Sequence, residues 1–302
     1  MKKLFFILIG LTSAYLTSAQ ALSIQEKLGY PKDAKLLIIH ADDLGVSHSE
    51  NQATINAIET GSVSSASIMV PTPWFSEIAA YASSHKGSDF GLHLTLTSEW
   101  KYYKWGPLSD QAPRLKNKEG FFFASADSVI DSAPVAEVEK ELRKQIEKAK
   151  QFGVDVTHFD SHMGTLFEST DYLKLYIQLG REYKVPVMLP GAAKAVVGNY
   201  ITEKDVIVDE IYGASPGDFK NGMAKYYTDI LNSVKAGLSV LILHAAFDDK
   251  EMQAITIDHP DWGAAWRQAD FDFFTSETCK KIIKDKKIKV ITWREVRDKL
   301  LR

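Results

Sequence analysis

The chain of 302 residues holds a single cysteine, Cys279, so it cannot close a disulfide within itself. Cys279 falls in "SETCKKII", a helical pattern, and reads as a packed small residue rather than a nucleophile. Charge of either sign is not in excess. With 36 Lys and Arg against 39 Asp and Glu, the formal net charge of -3 offers nothing to a nucleic acid or an anionic membrane, both of which favour basic patches. No Pro/Gly-rich linker, low-complexity tract or internal repeat divides the chain. No Gly-rich dinucleotide fingerprint follows the first apolar run, which argues against a doubly wound nucleotide-binding sheet.

Long apolar runs are also scarce, and the one that stands out is at the start. "MKKLFFILIGLTSAYLTSAQA" has Lys2 and Lys3, an apolar stretch from Leu4 to about Leu16, and small residues around Ser18 and Ala19. This is the layout of a secretory signal peptide over residues 1–20, with cleavage near Ala19 or Ala21. The apolar core is short for a membrane span of about 20 residues, so no stable span is expected after cleavage. The expected location is periplasmic or secreted. Residues 21–302 read as one domain, and a chain with 45% hydrophobic residues can bury a sizeable core.

Beyond residue 34, apolar runs alternate with helical patterns to the end. Strands are expected at 35–40, 62–70, 90–96, 156–161, 185–190, 205–212, 238–245 and 289–293. Helical patterns fall near 49–60, 135–152, 169–183, 217–236 and 264–286. The dense charges of 135–152 read as a solvated helix face. Residues 98–130 break the alternation and read as an aromatic-rich insertion loop. Strand–helix alternation with about eight strands predicts an α/β fold, a (β/α) barrel whose active site gathers at the C-terminal strand ends.

That rule sorts the polar residues. Asp42 and Asp43 follow the first strand in "LLIIHADDLG", His93 sits in "GLHLTL", His158, Asp160 and His162 lie in "THFDSH", and His244 ends "LSVLILHA". One carboxylate and two imidazoles hold a divalent ion while leaving positions open. Paired aspartates then have a use: one can bind the cation while its neighbour accepts a proton from water. His158, Asp160 and His162 alternate and share a strand face, so His158 is an alternative to His162 as a ligand.

In their order, "IIHADDLGVSHSENQATINAIETGSVSSASIMV", "FGLHLTLTSEW", "THFDSH" and "LILHAAF" resemble the YdjC-like carbohydrate deacetylases, the family of the chitooligosaccharide deacetylases, from about residue 35 to 298. The resemblance implies a distorted (β/α) barrel similar to the NodB-type polysaccharide deacetylases, and metal-dependent removal of acetyl groups from N-acetylated sugars. It implies Asp43, His93 and His162 as ligands of a divalent cation, zinc or magnesium. Asp42 would be the catalytic base and His244 the general acid, with Asp160 orienting a ligand imidazole. The chain departs from the family pattern at His40, Leu44 and Ala245, where Asn, Phe and Pro are usual, and in "DSHMGTL", which lacks the further histidines that commonly follow "DSH".

Aromatic residues near the expected mouth read either as sugar-stacking surfaces or as packing for the loops. They are Trp100, Tyr102, Tyr103 and Trp105 in the insertion, and Trp262 and Trp266 in "DHPDWGAAWRQAD". His259, Trp262 and Arg267 are candidate substrate contacts, and the expected partner is an acetylated carbohydrate. Two other readings fit a two-histidine, one-carboxylate site: a non-haem iron oxygenase, or an exported carbohydrate-binding protein without turnover.

Overall fold

The computed structural model describes residues 22–60 and 62–302; the expected signal peptide lies outside them. Nine strands appear among the described residues: β1 (Lys35–Leu44), β2 (Ser65–Ile68), β3 (Phe90–Leu94), β4 (Phe159–Ser161), β5 (Leu189–Pro190), β6 (Ile207–Val208), β7 (Glu210–Tyr212), β8 (Gly237–Leu243) and β9 (Lys289–Val290). The main sheet runs β4-β3-β2-β1-β8-β7 with β9 beside β1, and β5 pairs with β6 separately. Every pair is parallel. A parallel bridge between Phe159 and Val187 ties the β4 edge to the chain entering β5, so the sheet curls without a continuous closing ladder. The fold is a distorted (β/α) barrel.

The hydrophobic period of β1 explains how the barrel is filled. Leu37, Ile39 and Ala41 pack outward on the helical layer, with Ala53 and Ala57 of the helix His48–Glu59. The alternate residues Leu36 and Ile38 point inward, to Leu238 and Val240 of β8, Val208 and Met188. Leu28, Trp293 and Val296 join the inner cluster and floor the barrel. Each fully buried Leu, Ile or Val side chain contributes about 1.5–3 kcal/mol to such a core.

Several boundaries differ from those expected. The strand expected at 205–212 is two short ones, because Asp209 turns aside: its carboxylate accepts from the Leu238 N–H at 2.8 Å. The helix expected at 217–236 splits at Gly222, whose φ of 99° no helix accommodates, into Pro216–Asn221 and Met223–Ser233. The helix expected at 264–286 is Ala264–Phe274 and Glu277–Asp285, the second capped by the Ser276 hydroxyl.

The insertion is more ordered than a loop. It ends in a helix, Ala126–Ser132, and the charged helix Val135–Gln151 holds it in place. Glu141 on that helix is fully buried and accepts from the Leu108 and Ser109 N–H groups at 3.1 and 2.8 Å. So that face is not wholly solvated: one of its acids satisfies loop backbone that would otherwise be orphaned.

Candidate active site

Inside the barrel, the inward row of β1 reads Leu36, Ile38, His40, Asp42, and turns from apolar to ionic halfway up. Strict alternation would point Asp43 outward. The β1–β2 register breaks between Ala41 and Leu44, and Asp43 takes a φ of 69°, which returns its side chain to the mouth beside that of Asp42. Gly45 completes the turn at φ 97°, where a Cβ would lie 2.9 Å from Thr72 Oγ1 and 3.0 Å from Met69 O. The inward row through β4 stacks His158, Asp160 and His162, and β3 pairs His93 with Asp160. Gly91 leaves the space that the His158 ring fills, since a Cβ there would sit 2.3 Å from it.

Asp43 Oδ1 lies 3.3 Å from His93 Nε2 and 3.4 Å from His162 Nδ1. This oxygen is buried and has no hydrogen-bond partner. A buried anionic oxygen without a donor is costly, and two imidazole nitrogens facing it mark a place for a cation. Tetrahedral ligands at about 2.0–2.1 Å from a metal stand roughly 3.3–3.4 Å apart, so the trio fits. The other ring nitrogen of each imidazole is held by a carboxylate: His93 Nδ1 by Asp160 Oδ1 at 2.6 Å, His162 Nε2 by Glu99 Oε2 at 3.1 Å. Such outer carboxylates fix ring orientation in metal sites.

The remaining oxygen, Asp43 Oδ2, accepts from Arg267 Nη2 at 2.8 Å. Arg267 is fully buried; its Nη1 donates to Glu50 at 2.5 Å and its Nε to the Trp262 carbonyl at 2.7 Å. Expected as a substrate contact, it lines the cavity and gives three of its five N–H donors to Asp43, Glu50 and the Trp262 carbonyl. Burial works against the Asp43 carboxylate, but Arg267, His162 and His93 outweigh it and hold its pKa well below the usual range. Burial likewise opposes charge on His162, yet Glu99 and Asp43 raise it to about 9.

Asp42 faces the same space without touching the trio. Its Oδ2 is 3.9 Å from both His93 Nε2 and His244 Nε2, and its Oδ1 is 2.9 Å from His40 Nε2. His244 sits at the end of β8 with its backbone N–H donated to Asp270 Oδ2 at 2.9 Å, and burial pushes its imidazole down to about 4. His158 lies lower, stacked on Trp293, with Nε2 3.8 Å from Asp160 Oδ2. That places it outside the Asp43–His93–His162 trio.

These groups line one cavity of about 670 Å³, along with Trp100, Met163, Phe167, Met188, Pro190, Ile211, Ile242, His259 and Trp262. His259, Trp262 and the largely buried Trp100 therefore reach the cavity, while Trp105 is buried away from it and packs the insertion onto the barrel. Tyr102 is the most exposed of the insertion aromatics.

Sequence reasoning missed three supports of the trio. His40 shares the parity of Asp42 and could have been found by that alternation. Glu99 carries no periodic signal. Glu50 meets Arg267 across 217 positions of sequence, which no local pattern discloses.

Fold and site together define a class, a curled parallel (β/α) barrel with an Asp–His–His cluster at its C-terminal mouth. The chain belongs to the YdjC-like family: the family model described as "YdjC-like protein" matches residues 36–285. A carbohydrate deacetylase of Thermus thermophilus is 28% identical over 291 residues, 92% of this chain and 100% of the relative. A carbohydrate deacetylase of Thermoanaerobacter pseudethanolicus is 26% identical over 257 residues, 84% of this chain and 96% of the relative. Among solved structures, a putative cellobiose-phosphate cleavage protein from Enterococcus faecalis V583 shares the fold with a TM-score of 0.74. Its sequence is 22% identical, and the match covers 87% of this chain and 99% of that one.

Proposed function

We propose that this protein is a metal-dependent hydrolase that removes acetyl groups from N-acetylated sugars or oligosaccharides and releases acetate. The observation that carries the reading is the orphaned Asp43 Oδ1 with His93 and His162 turned towards it. The carbohydrate deacetylases among its relatives supply the substrate class. Two imidazoles and one carboxylate favour zinc, with magnesium the alternative. A divalent cation held there supplies a Lewis acid for the acyl oxygen and brings the pKa of water from 15.7 towards about 7.

The chain's own residues do the rest. Asp42, adjacent to the trio yet outside it, takes the proton of the attacking water. His244 is neutral at rest, held so by burial, and its Nε2 lies 3.9 Å from Asp42 Oδ2. The proton that Asp42 takes from the water passes to His244 Nε2 and from there to the departing amine, which returns Asp42 to its carboxylate and His244 to its neutral form, a general-acid role. Arg267 holds Asp43 Oδ2 and leaves Oδ1 for the cation. Apolar walls around the cavity limit water and strengthen each of these electrostatic contacts. Lys2, Lys3 and the apolar stretch after them support export as part of the same reading.

The test is acetate release from a panel of N- and O-acetylated glycans, with and without chelator. Release that stops with chelator and returns with added zinc or magnesium supports the reading. Binding of these glycans without release would replace it with a binding protein, and iron- and oxygen-dependent turnover would replace it with an oxygenase.

A further inference from the structure

Beneath the trio lies a second, wholly buried polar layer that the reaction just described does not use. His40 is 0% exposed and stands one inward step below Asp42 on β1. Its Nε2 is 2.9 Å from Asp42 Oδ1 and 2.7 Å from Asp160 Oδ2, so one N–H faces two carboxylates. Its Nδ1 is 3.0 Å from Ser65 Oγ, and Ser67 Oγ lies 3.2 Å from Nε2 and 3.4 Å from Asp42 Oδ1. The His158 ring closes the remaining side edge-on, with ring centres 4.9 Å apart. The other oxygen of Asp160 holds His93 Nδ1 at 2.6 Å. A continuous chain, Asp42–His40–Asp160–His93, therefore runs behind the site.

We propose that His40 is a positioning residue that fixes two acids with one imidazole: the proton-accepting carboxylate of Asp42, and the Asp160 carboxylate that orients His93. The proposal deepens the deacetylase reading, since it rests on Asp42 as the base. The physical reason is the cost of two buried carboxylates that face each other with no donor between them. Without His40, Asp42 Oδ1 keeps only the long Ser67 contact, and Asp160 Oδ2 loses its shortest hydrogen bond. Asp160 would then shift, and the His93 ring would turn with it. His40 thus couples the position of the base to the aim of a ligand, although it touches neither substrate nor cation.

His40→Leu and His40→Gln test it, the second because a side-chain amide restores a donor. Metal affinity is measured by calorimetry on metal-free protein, and kcat and KM on metal-saturated protein. His40→Leu should lose about 10–100-fold in metal affinity and in metal-saturated kcat, with KM little changed, and His40→Gln should recover most of both. A folded His40→Leu protein with unchanged metal affinity and unchanged kcat overturns the proposal. So does a loss that tracks thermal stability alone, with full kcat in the folded, metal-loaded fraction. If His40→Leu does not fold, histidine ring ¹⁵N–¹H spectra of the wild type and His40→Gln decide. A solvent-protected Nε2–H signal present only in the wild type supports the proposal, and its absence overturns it. If the wild type releases no acetate from any glycan, the deacetylase reading fails by itself. Metal affinity then still reads the Asp160–His93 arm: loss in His40→Leu keeps that arm, and unchanged affinity overturns it.

Discussion

The two halves of the barrel mouth are built from different chemistry around one cavity. On the side of β1 to β4 the cavity is lined by Asp42, Asp43, His93, Asp160 and His162, with His40, Ser65 and Ser67 buried behind them. On the side of β5 to β8 it is lined by Met188, Pro190, Ile211 and Ile242. His40 and His244 show what the difference does. Both are buried, and burial alone disfavours charge on each. His40, with two carboxylates within 2.9 Å, is raised to about 9, while His244, with Asp42 Oδ2 no nearer than 3.9 Å, is carried down by burial to about 4. The same side chain is pushed towards its charged form beneath the mouth and towards its neutral form at the rim. Burial lowers both, and it is overcome only where carboxylates lie within hydrogen-bond reach.

The comparison breaks most visibly at Asp43. Asp43→Asn keeps the shape and removes the charge, so stoichiometric metal should be lost and acetate release should fall to background. Asp42→Asn should keep the metal and still lose about 10²-fold or more in turnover, because an amide accepts no proton. Metal analysis of the purified variants beside an acetate assay reads both, and reversed outcomes would exchange the two roles.

His244 stands at the boundary between the halves. His244→Ala should lower turnover by about 10²–10⁴-fold with metal content unchanged. Loss of metal from this variant would move His244 into the ligand set.

On the apolar side the expected effect passes from chemistry to stability. Met188 is buried in the inner cluster, and Met188→Ala should cost about 2–5 kcal/mol in a urea titration while metal affinity stays at the wild-type value. Metal affinity that falls with stability would mean that the two halves cannot be separated.

The smallest effect lies outside the mouth. Asp155 is held down to about 2: burial raises its pKa, but Arg297 and Arg294 outweigh that. A carboxylate depressed in the folded state stabilises above its unfolded pKa, near 3.8, and loses that contribution as pH falls towards about 2. Asp155→Asn should therefore unfold at lower urea than the wild type at pH 7, and the gap should narrow at pH 3. A constant gap would assign the effect to packing.

Much of the architecture was legible along the chain because it rests on local periodicity. The apolar run in "KLLIIH" marked β1, and the four-residue spacing of Val138, Leu142 and Ile146 marked a helix face. Residue types at strand ends marked the site in the same way, since parallel strands carry their C-terminal ends to one mouth. Breaks were less legible: Gly222 ends one helix and Ser276 starts another where the apolar pattern alone would run on.

What only the tertiary structure decided is where alternation fails and where distant charges meet. The sequence by itself determined that Asp42 and Asp43 are neighbours, and in a regular strand neighbours face opposite sides. The register break and the left-handed φ of Asp43 turn both to one cavity, a backbone choice set by packing against β2 and by the space at Gly45. The chain marks Arg267 only as a candidate substrate contact. The fold also joins it to Asp43, Glu50 and the Trp262 carbonyl, because a buried guanidinium must place its donors wherever acceptors come within reach. Side-chain type is written in the chain, but which groups satisfy one another inside a low-dielectric core depends on contacts between residues up to 224 positions apart.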